Sequence, residues 1–348
     1  MAGLGRMGVV HALHILELSR ETDSCVFSAL VDPNVERAKE YAQAHGLDAP
    51  VFATLGEMAA ANVADATVLA TPTHLHNRNA LELAAAGHRM LLEKPLTGTL
   101  AGDIELAGEL DRRYPNAVML AFQRRFDAPL AYARDLVREG VIGRPFKIYS
   151  ALEDSGPAPN GYSSPGILAD MSVHNVDEVI WVTGANARSA LAIGSRLHNH
   201  AHTTAVEDFD DAALYVWFDN GSLAQIQVSR NHVSGYRVES IIFGEEGQIQ
   251  IGHFDQRPKQ VVVETFGRRD RLEPLARRAF DMRQYGGNLP EFIDRFGAAY
   301  KAEVAAFIEC CRSGEPFSVT HRDGVRAQQV IEAAMKSVLT ESQACPVK

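Results

Sequence analysis

Cysteine is scarce: only Cys25, Cys310, Cys311 and Cys345 occur in 348 residues, and their spacing suits neither a metal site nor a disulfide framework. A reducing compartment fits this usage, and the expectation is a cytoplasmic protein. No apolar run is long enough to span a bilayer. Nor does a charged segment, apolar stretch and cleavage site open the chain. A membrane is therefore not an expected partner. Positive charge is in deficit, with 34 Lys and Arg against 44 Asp and Glu, a formal net charge of -10 and no basic run to offset it locally. Such a balance repels phosphate backbones and anionic lipids, so no nucleic acid is expected either. Internal repeats and low-complexity segments are also lacking.

What is present reads as an ordinary globular chain, 46% hydrophobic and 22% charged. Its length exceeds what one core usually supports, which implies two domains. From Met1 to about Phe122, short apolar runs (Val26 to Val31, Val51 to Ala53, Ala66 to Ala70, Met90 to Leu92, Ala117 to Phe122) alternate with helical patterns. Buried parallel strands of βαβ units read this way. After a helix from about Pro129 to Gly140 the pattern changes. Phe146 to Leu152, Ala187 to Ile193, Ala212 to Phe218, Leu223 to Val228 and Ser240 to Phe243 predict antiparallel sheet, punctuated by Asp219-Asn220-Gly221 and Gly244-Glu245-Glu246-Gly247. Helices over Ala299 to Arg312 and Gly324 to Thr340 close the chain.

Gly3-Leu4-Gly5-Arg6-Met7-Gly8 opens a helical run, and Asp32 ends the next apolar strand, the separation of a dinucleotide fingerprint. The first two glycines permit a tight turn and close backbone approach, the third lets helix and strand pack, and the helix N-terminus offers N–H groups to pyrophosphate. Asp32 would bind the adenosine ribose hydroxyls and repel a 2′-phosphate, which favours NAD over NADP. A central strand should precede the fingerprint, yet only Met1 and Ala2 stand before Gly3. Its loss would orphan buried ladder hydrogen bonds on both neighbours. The expectation is a truncated first strand, with the start placed too late, at an internal valine-type codon.

Leu91-Leu92-Glu93-Lys94-Pro95 ends an apolar strand, where open α/β sheets place ligands. Together with Gly3-x-Gly5-x-x-Gly8, Ala70-Thr71-Pro72-Thr73-His74-Leu75-His76 and Asp170-x-x-x-His174, it resembles the glucose-fructose oxidoreductase and inositol 2-dehydrogenase (Gfo/Idh/MocA) family over nearly the whole chain. The fold class implied is α/β: a Rossmann domain, a doubly wound parallel sheet over residues 1–122, then an α/β domain with a large, open, mostly antiparallel sheet over residues 123–348. The second domain would bind substrate and oligomerise, and the last helices would pack back on the first.

The resemblance implies NAD held by Gly3, Gly5, Arg6, Met7, Gly8, Asp32, Thr71, Pro72, His74, His76, Glu93, Lys94 and Gln123. It implies that Lys94 contacts nicotinamide and substrate across a cis bond to Pro95, a way to turn the chain sharply and fix the ammonium. On a helix ending before Gly184, Asp170, His174 and Asp177 share one face by i, i+4, i+7 spacing, while Val173, Val176 and Ile180 face elsewhere. By itself that stripe also fits a solvated acidic face.

Oxidising an alcohol removes a hydride from carbon and a proton from oxygen, and imidazole suits the proton. His174 is assigned as base, Lys94 as stabiliser of the developing alkoxide, and Asp170 as orienting partner. Direct proton transfer to Lys94 is the mechanistic alternative. Resemblance adds Arg124, in Phe122-Gln123-Arg124-Arg125-Phe126-Asp127, with Glu153, Asp177 and Tyr236, to the polyol pocket.

No metal is expected. His198-Asn199-His200-Ala201-His202 alternates histidines, but no carboxylate or cysteine set completes a site. The function implied is NAD-dependent oxidation of a secondary hydroxyl of an inositol or related sugar in a homo-oligomer, a tetramer. An aldose dehydrogenase and a non-enzymatic NAD sensor are the other readings. Glycoside-cleaving relatives carry a different histidine motif.

Overall fold

The computed structural model describes residues 1–156, 165–198, 208–252, 259–268, 273–285, 291–340 and 343–348. The chain divides into two compact units, Met1–Gln123 with Tyr300–Val325, and Arg124–Ala299 with Arg326–Lys348.

The first unit alternates helices and parallel strands: α1 (Arg6–Glu21), β1 (Leu30–Val31), α2 (Val35–His45), β2 (Val51–Phe52), α3 (Leu55–Ala61), β3 (Ala66–Leu69), α4 (His76–Ala85), β4 (Arg89–Glu93), α5 (Leu100–Arg113) and β5 (Val118–Ala121). β1 pairs with β2, and β4 lies between β3 and β5, all parallel. Ala2 joins the two sets by bridging Val31 on one side and Leu69 on the other, so the order is β2-β1-Ala2-β3-β4-β5. The central slot is thus not lost. The Ala2 N–H donates to Val68 O, Ala2 O accepts from Ala70 N–H, the Gly3 N–H donates to Val31 O, and the Val31 N–H donates to Met1 O.

β1 is shorter than its apolar run. Only Leu30 and Val31 find partners on β2, and Val26, outside the ladder, is 83% exposed. Leu91 and Leu92 of β4 are fully buried, each contributing about 1.5–3 kcal/mol of hydrophobic stabilisation.

The second unit holds α6 (Ala128–Arg138), β6 (Pro145–Glu153), α7 (Val173–Thr183), β7 (Ala187–Ser195), β8 (Asp211–Phe218), β9 (Leu223–Ser229), β10 (Arg237–Gly244), β11 (Gly247–Ile251), β12 (Gln260–Gly267) and β13 (Ala276–Asp281). The chain ends in α8 (Phe292–Ser313), α9 (His321–Leu339) and β14 (Cys345–Pro346). The strands form one nine-stranded sheet, β13-β12-β11-β10-β6-β9-β8-β7-β14, antiparallel except where β6 meets β9. Alternation along β8 and β9 turns Ala212, Leu214, Val216, Phe218, Ala224, Ile226 and Val228 inward. Ala213, Tyr215 and Trp217 take the opposite face.

α7 packs against β6 and β9. β11, β12 and β13 were absent from the sequence expectation. β13 lacks an apolar face altogether, five of its six residues being exposed, as suits a charged edge strand.

Candidate active site

In the first unit the glycines of the fingerprint divide by what surrounds them. Gly3 has φ +86°, and a Cβ there would lie 2.5 Å from Ala70 O; a Cβ on Gly8 would lie 1.9 Å from Gly3 O. Strand and helix pack so closely that both positions exclude a side chain. At Gly5 a Cβ would meet nothing within 4 Å. The fold itself has no need of glycine there. Gly5 is the N-cap of α1 and supplies no side-chain acceptor, Gly5 and Arg6 are exposed, Met7 is half-buried, and helix geometry leaves first-turn N–H groups without intrahelical acceptors. This open, backbone-lined helix start fits a pyrophosphate.

Asp32, 1% exposed, accepts from Leu4 N–H at 2.8 Å, Asn34 N–H at 2.8 Å and Arg37 Nη2 at 2.6 Å. Burial pushes its carboxyl up, but the Leu4 amide, the Arg37 guanidinium and the Asn34 amide together hold it below the usual range. It is ionised at neutral pH, with lone pairs remaining for ribose hydroxyls. Arg37, which the sequence reading overlooked, sits half-exposed on that carboxylate.

At the C-terminal end of β4 the chain turns through a cis Lys94–Pro95 peptide, as expected. Glu93 Oε2 accepts the Lys94 N–H at 3.1 Å, and its Oε1 meets His11 Nε2 at 2.7 Å. On the other side of Lys94, His76 Nδ1 lies 2.9 Å from Pro95 O and its Nε2 lies 2.8 Å from Thr71 O. Burial, outweighing those carbonyl contacts, lowers the His76 pKa. A neutral imidazole carries one N–H, so His76 donates to one of these two carbonyls and lies against the other. Thr71 Oγ1 accepts from Asn79 Nδ2 at 3.0 Å, Pro72 and His74 are exposed, and Gln123 is buried.

In the second unit the expected helix begins differently. Leu168–Ser172 winds as a π-helix before α7, an uncommon turn that recurs at functional sites. From Ile167 to Ile180 every residue is buried except Asp170 and His174. Of the i, i+4, i+7 stripe read from sequence, Asp170 and His174 form the one opening in this enclosed segment, whereas Asp177 is buried. Arg230 Nη2 stands 3.6 Å from Asp170 Oδ2, with both side chains largely enclosed.

The remaining residues separate into two groups. Asp177 is buried and accepts two bonds from Arg125, at 2.9 and 2.5 Å. Arg124, 1% exposed, donates to Glu178 Oε2 at 2.6 Å, and Glu178 Oε1 also accepts from Ser150 Oγ at 3.1 Å and from Ser240 Oγ. Both expected pocket residues are thus members of buried ion pairs, whose partners Arg125 and Glu178 the sequence reading overlooked. Glu153 Oε2 accepts from Arg237 Nη1 at 3.0 Å and lies 3.8 Å from His232 Nε2, while Tyr236 is half-buried. Of the His198–His202 segment only His198 falls within the described residues, and its backbone N–H donates to Asp210 Oδ2 at 2.8 Å.

Comparison with known proteins identifies the family and the fold. The model of an oxidoreductase family with an NAD-binding Rossmann fold matches residues 1–122, and that of the same family's C-terminal alpha/beta domain matches residues 134–348. Myo-inositol 2-dehydrogenase of Thermotoga maritima is 29% identical over 97% of this chain and 94% of its own. The scyllo-inositol 2-dehydrogenase (NAD(+)) of Bacillus subtilis is 28% identical over 96% and 92%. A crystal structure titled "probable dehydrogenase from Thermotoga maritima" superposes with a TM-score of 0.83 at 26% identity, covering 99% of this chain and 97% of that one. The chain belongs to the Gfo/Idh/MocA oxidoreductase family and is an NAD-dependent oxidoreductase with an N-terminal Rossmann domain and a C-terminal α/β domain built on a large, mostly antiparallel sheet.

Proposed function

We propose that this enzyme oxidises a secondary hydroxyl of an inositol, or of a closely related sugar, to the ketone. The observation that carries the reading is the exposure pattern around α7, where Asp170 and His174 alone open from a buried segment. Relatives named as inositol 2-dehydrogenases over nearly the full chain support the substrate class.

Gly3, Gly5, Arg6, Met7 and Gly8 would hold the pyrophosphate, Asp32 the ribose, and the Thr71 and Lys94 turns, with His76 between them, the nicotinamide end. Bound NAD supplies the acceptor for the hydride leaving the carbinol carbon. His174 takes the hydroxyl proton on an imidazole nitrogen. Lys94 stabilises negative charge on the substrate oxygen, and Asp170 accepts a hydrogen bond that orients the ring. Arg124, Glu153, Asp177 and Tyr236 shape the pocket, the first and third through their ion pairs. A site rich in such groups discriminates for hydroxyls, because an analogue lacking one leaves a buried polar partner unsatisfied.

Among the described residues no helix is long and apolar enough to cross a membrane. We place the enzyme in the cytoplasm as a homotetramer assembled through the Ala213, Tyr215 and Trp217 face of the sheet. The deciding experiment is NADH formation across myo-, scyllo- and chiro-inositol and free aldoses, with NADP⁺ in parallel. Turnover of an inositol, with a higher kcat/KM for NAD⁺ than for NADP⁺, is expected. A free aldose as the best substrate rejects the inositol assignment, and equal or better use of NADP⁺ rejects the role of Asp32.

A further inference from the structure

The first unit buries more ionisable groups than hydride transfer requires. His11 and His14 of α1 are fully buried, as is Glu303 of α8, and Glu93 is 6% exposed. His11 is the link to the site, since its Nε2 meets Glu93 Oε1 at 2.7 Å while Glu93 Oε2 accepts the Lys94 N–H. The His11 ring stands edge-on to Tyr300, with centroids 5.8 Å apart and planes at 88°.

We propose that His11 is a positioning residue for Lys94, acting through Glu93: its ring N–H fixes the carboxylate whose other oxygen holds the Lys94 amide. The proposal rests on Lys94 acting at the reacting hydroxyl.

The hydrogen bonds assign the roles. His11 Nδ1 is buried without a hydrogen-bond partner. A bare lone pair is tolerated inside a protein more readily than an orphaned N–H, so the proton sits on Nε2 and points at Glu93. Both oxygens of Glu303 are likewise buried without a partner. Burial first, and then the charge of Glu93, raise its pKa well above the carboxylate range, so Glu303 is a neutral acid.

The other charges near His11 are directed elsewhere. On its own helix Glu17 lies 3.6 Å from His14 Nδ1, and Lys301 of α8 bonds Glu17 and Glu21 at 3.2 and 2.7 Å. Beyond Lys94, the Pro95 carbonyl lies 2.9 Å from His76 Nδ1. The side chain then starts from a fixed backbone root, and a misplacement of about 1 Å in such a group costs ~100-fold in rate.

The test compares H11L, which keeps bulk and removes the donor, with H11Q, whose amide N–H reaches Glu93. Should H11L fail to fold, H11N, too short to reach, takes its place. H11L is expected to lose ~10- to 100-fold in polyol kcat/KM, with NADH affinity within ~3-fold, and its Lys94 amide to exchange faster with deuterium in NAD-free protein. H11Q should recover most of both. E303Q should keep wild-type kcat, since glutamine mimics a neutral acid. Wild-type kcat/KM in a folded H11L or H11N, unchanged exchange, or an H11Q no better than H11L overturns the proposal. A more than ~10-fold loss in E303Q overturns the charge assignment on which it depends. K94A separates the two levels. If K94A collapses turnover while H11L does not, the positioning role alone is wrong; if K94A keeps kcat, the assignment of Lys94 falls and this proposal with it.

Discussion

Lys94 and His174 reach their positions by opposite means. Lys94 is set by backbone, at the end of a largely buried strand, with its N–H accepted by Glu93 and the next carbonyl beside His76. His174 is set by packing, as one of two open positions in an enclosed helical segment. Neither arrangement depends on the groups that would hold the adenosine half of NAD. Replacing either residue by alanine should therefore lower turnover by ~10²- to 10⁴-fold, the range for losing one acid-base group, while NADH binding survives. Steady-state kinetics and NADH fluorescence titration on the same preparations check this. Near-normal kcat in either variant would refute the proton path, and poor NADH binding by both, while folded, would move them to the cofactor site.

Two elements of the first unit carry predictions that distinguish folding from binding. At the start of α1, Gly8→Ala would place a Cβ 1.9 Å from Gly3 O. The backbone must shift, and a loss of about 3 kcal/mol or more is expected. Gly5→Ala meets nothing within 4 Å. It should melt like the parent yet bind NAD⁺ ~10-fold or more weaker, because charge-assisted bonds from the helix start are obstructed. An unaltered NAD⁺ affinity in Gly5→Ala would remove the pyrophosphate from this helix.

At the start of α5, Asp103 accepts from Thr97 N–H at 2.8 Å and from Thr97 Oγ1 at 2.6 Å. Burial outweighs these bonds and pushes its pKa up to about 6. With the folded value above the unfolded one near 3.8, the fold favours the protonated acid. That stability is fully present below about pH 4 and is lost as pH rises through about 6. Asp103→Asn, a neutral isostere, should match the parent at pH 4 and exceed it at pH 8 by up to about 3 kcal/mol. Urea denaturation at the two pH values measures the difference, and a variant less stable at pH 8 would contradict the ionisation assigned.

For the molecule as a whole, the nine-stranded sheet presents an apolar patch on one face of β7 and β8. Trp217 is 38% and Ile193 49% exposed, and Tyr215 lies beside Trp217, the rings tilted by 32° with centroids 6.4 Å apart. A tetramer built on this face should dissociate when Trp217 is replaced by glutamate, since burying an unpaired charge is costly. Light scattering after gel filtration tests it. A parent enzyme that is monomeric when dilute and fully active, or a Trp217→Glu tetramer, would reject this face.

Much of the architecture was legible in one dimension. Parallel strands bury both faces and so print continuous apolar runs, as at Met90 to Leu92. The glycine spacing and the Glu93-Lys94-Pro95 motif are local, because a turn's geometry depends on neighbours in sequence. Helical spacing likewise placed Asp170 and His174 on one stripe before any packing was known. What the sequence could not disclose are relations between distant residues. The central slot of the parallel sheet is filled by Met1 to Gly3 because ladder bonds from two flanking strands converge there. β1 stops short because a strand extends only as far as its partner does. β13 has no apolar alternation to read. The buried pairs Arg124–Glu178 and Arg125–Asp177 span 54 and 52 residues, and the His11–Glu93 contact spans 82. Whether an arginine or a histidine points to substrate, to a carboxylate or to the root of a lysine is decided by which burial leaves it a partner, and that is settled only when the chain is packed.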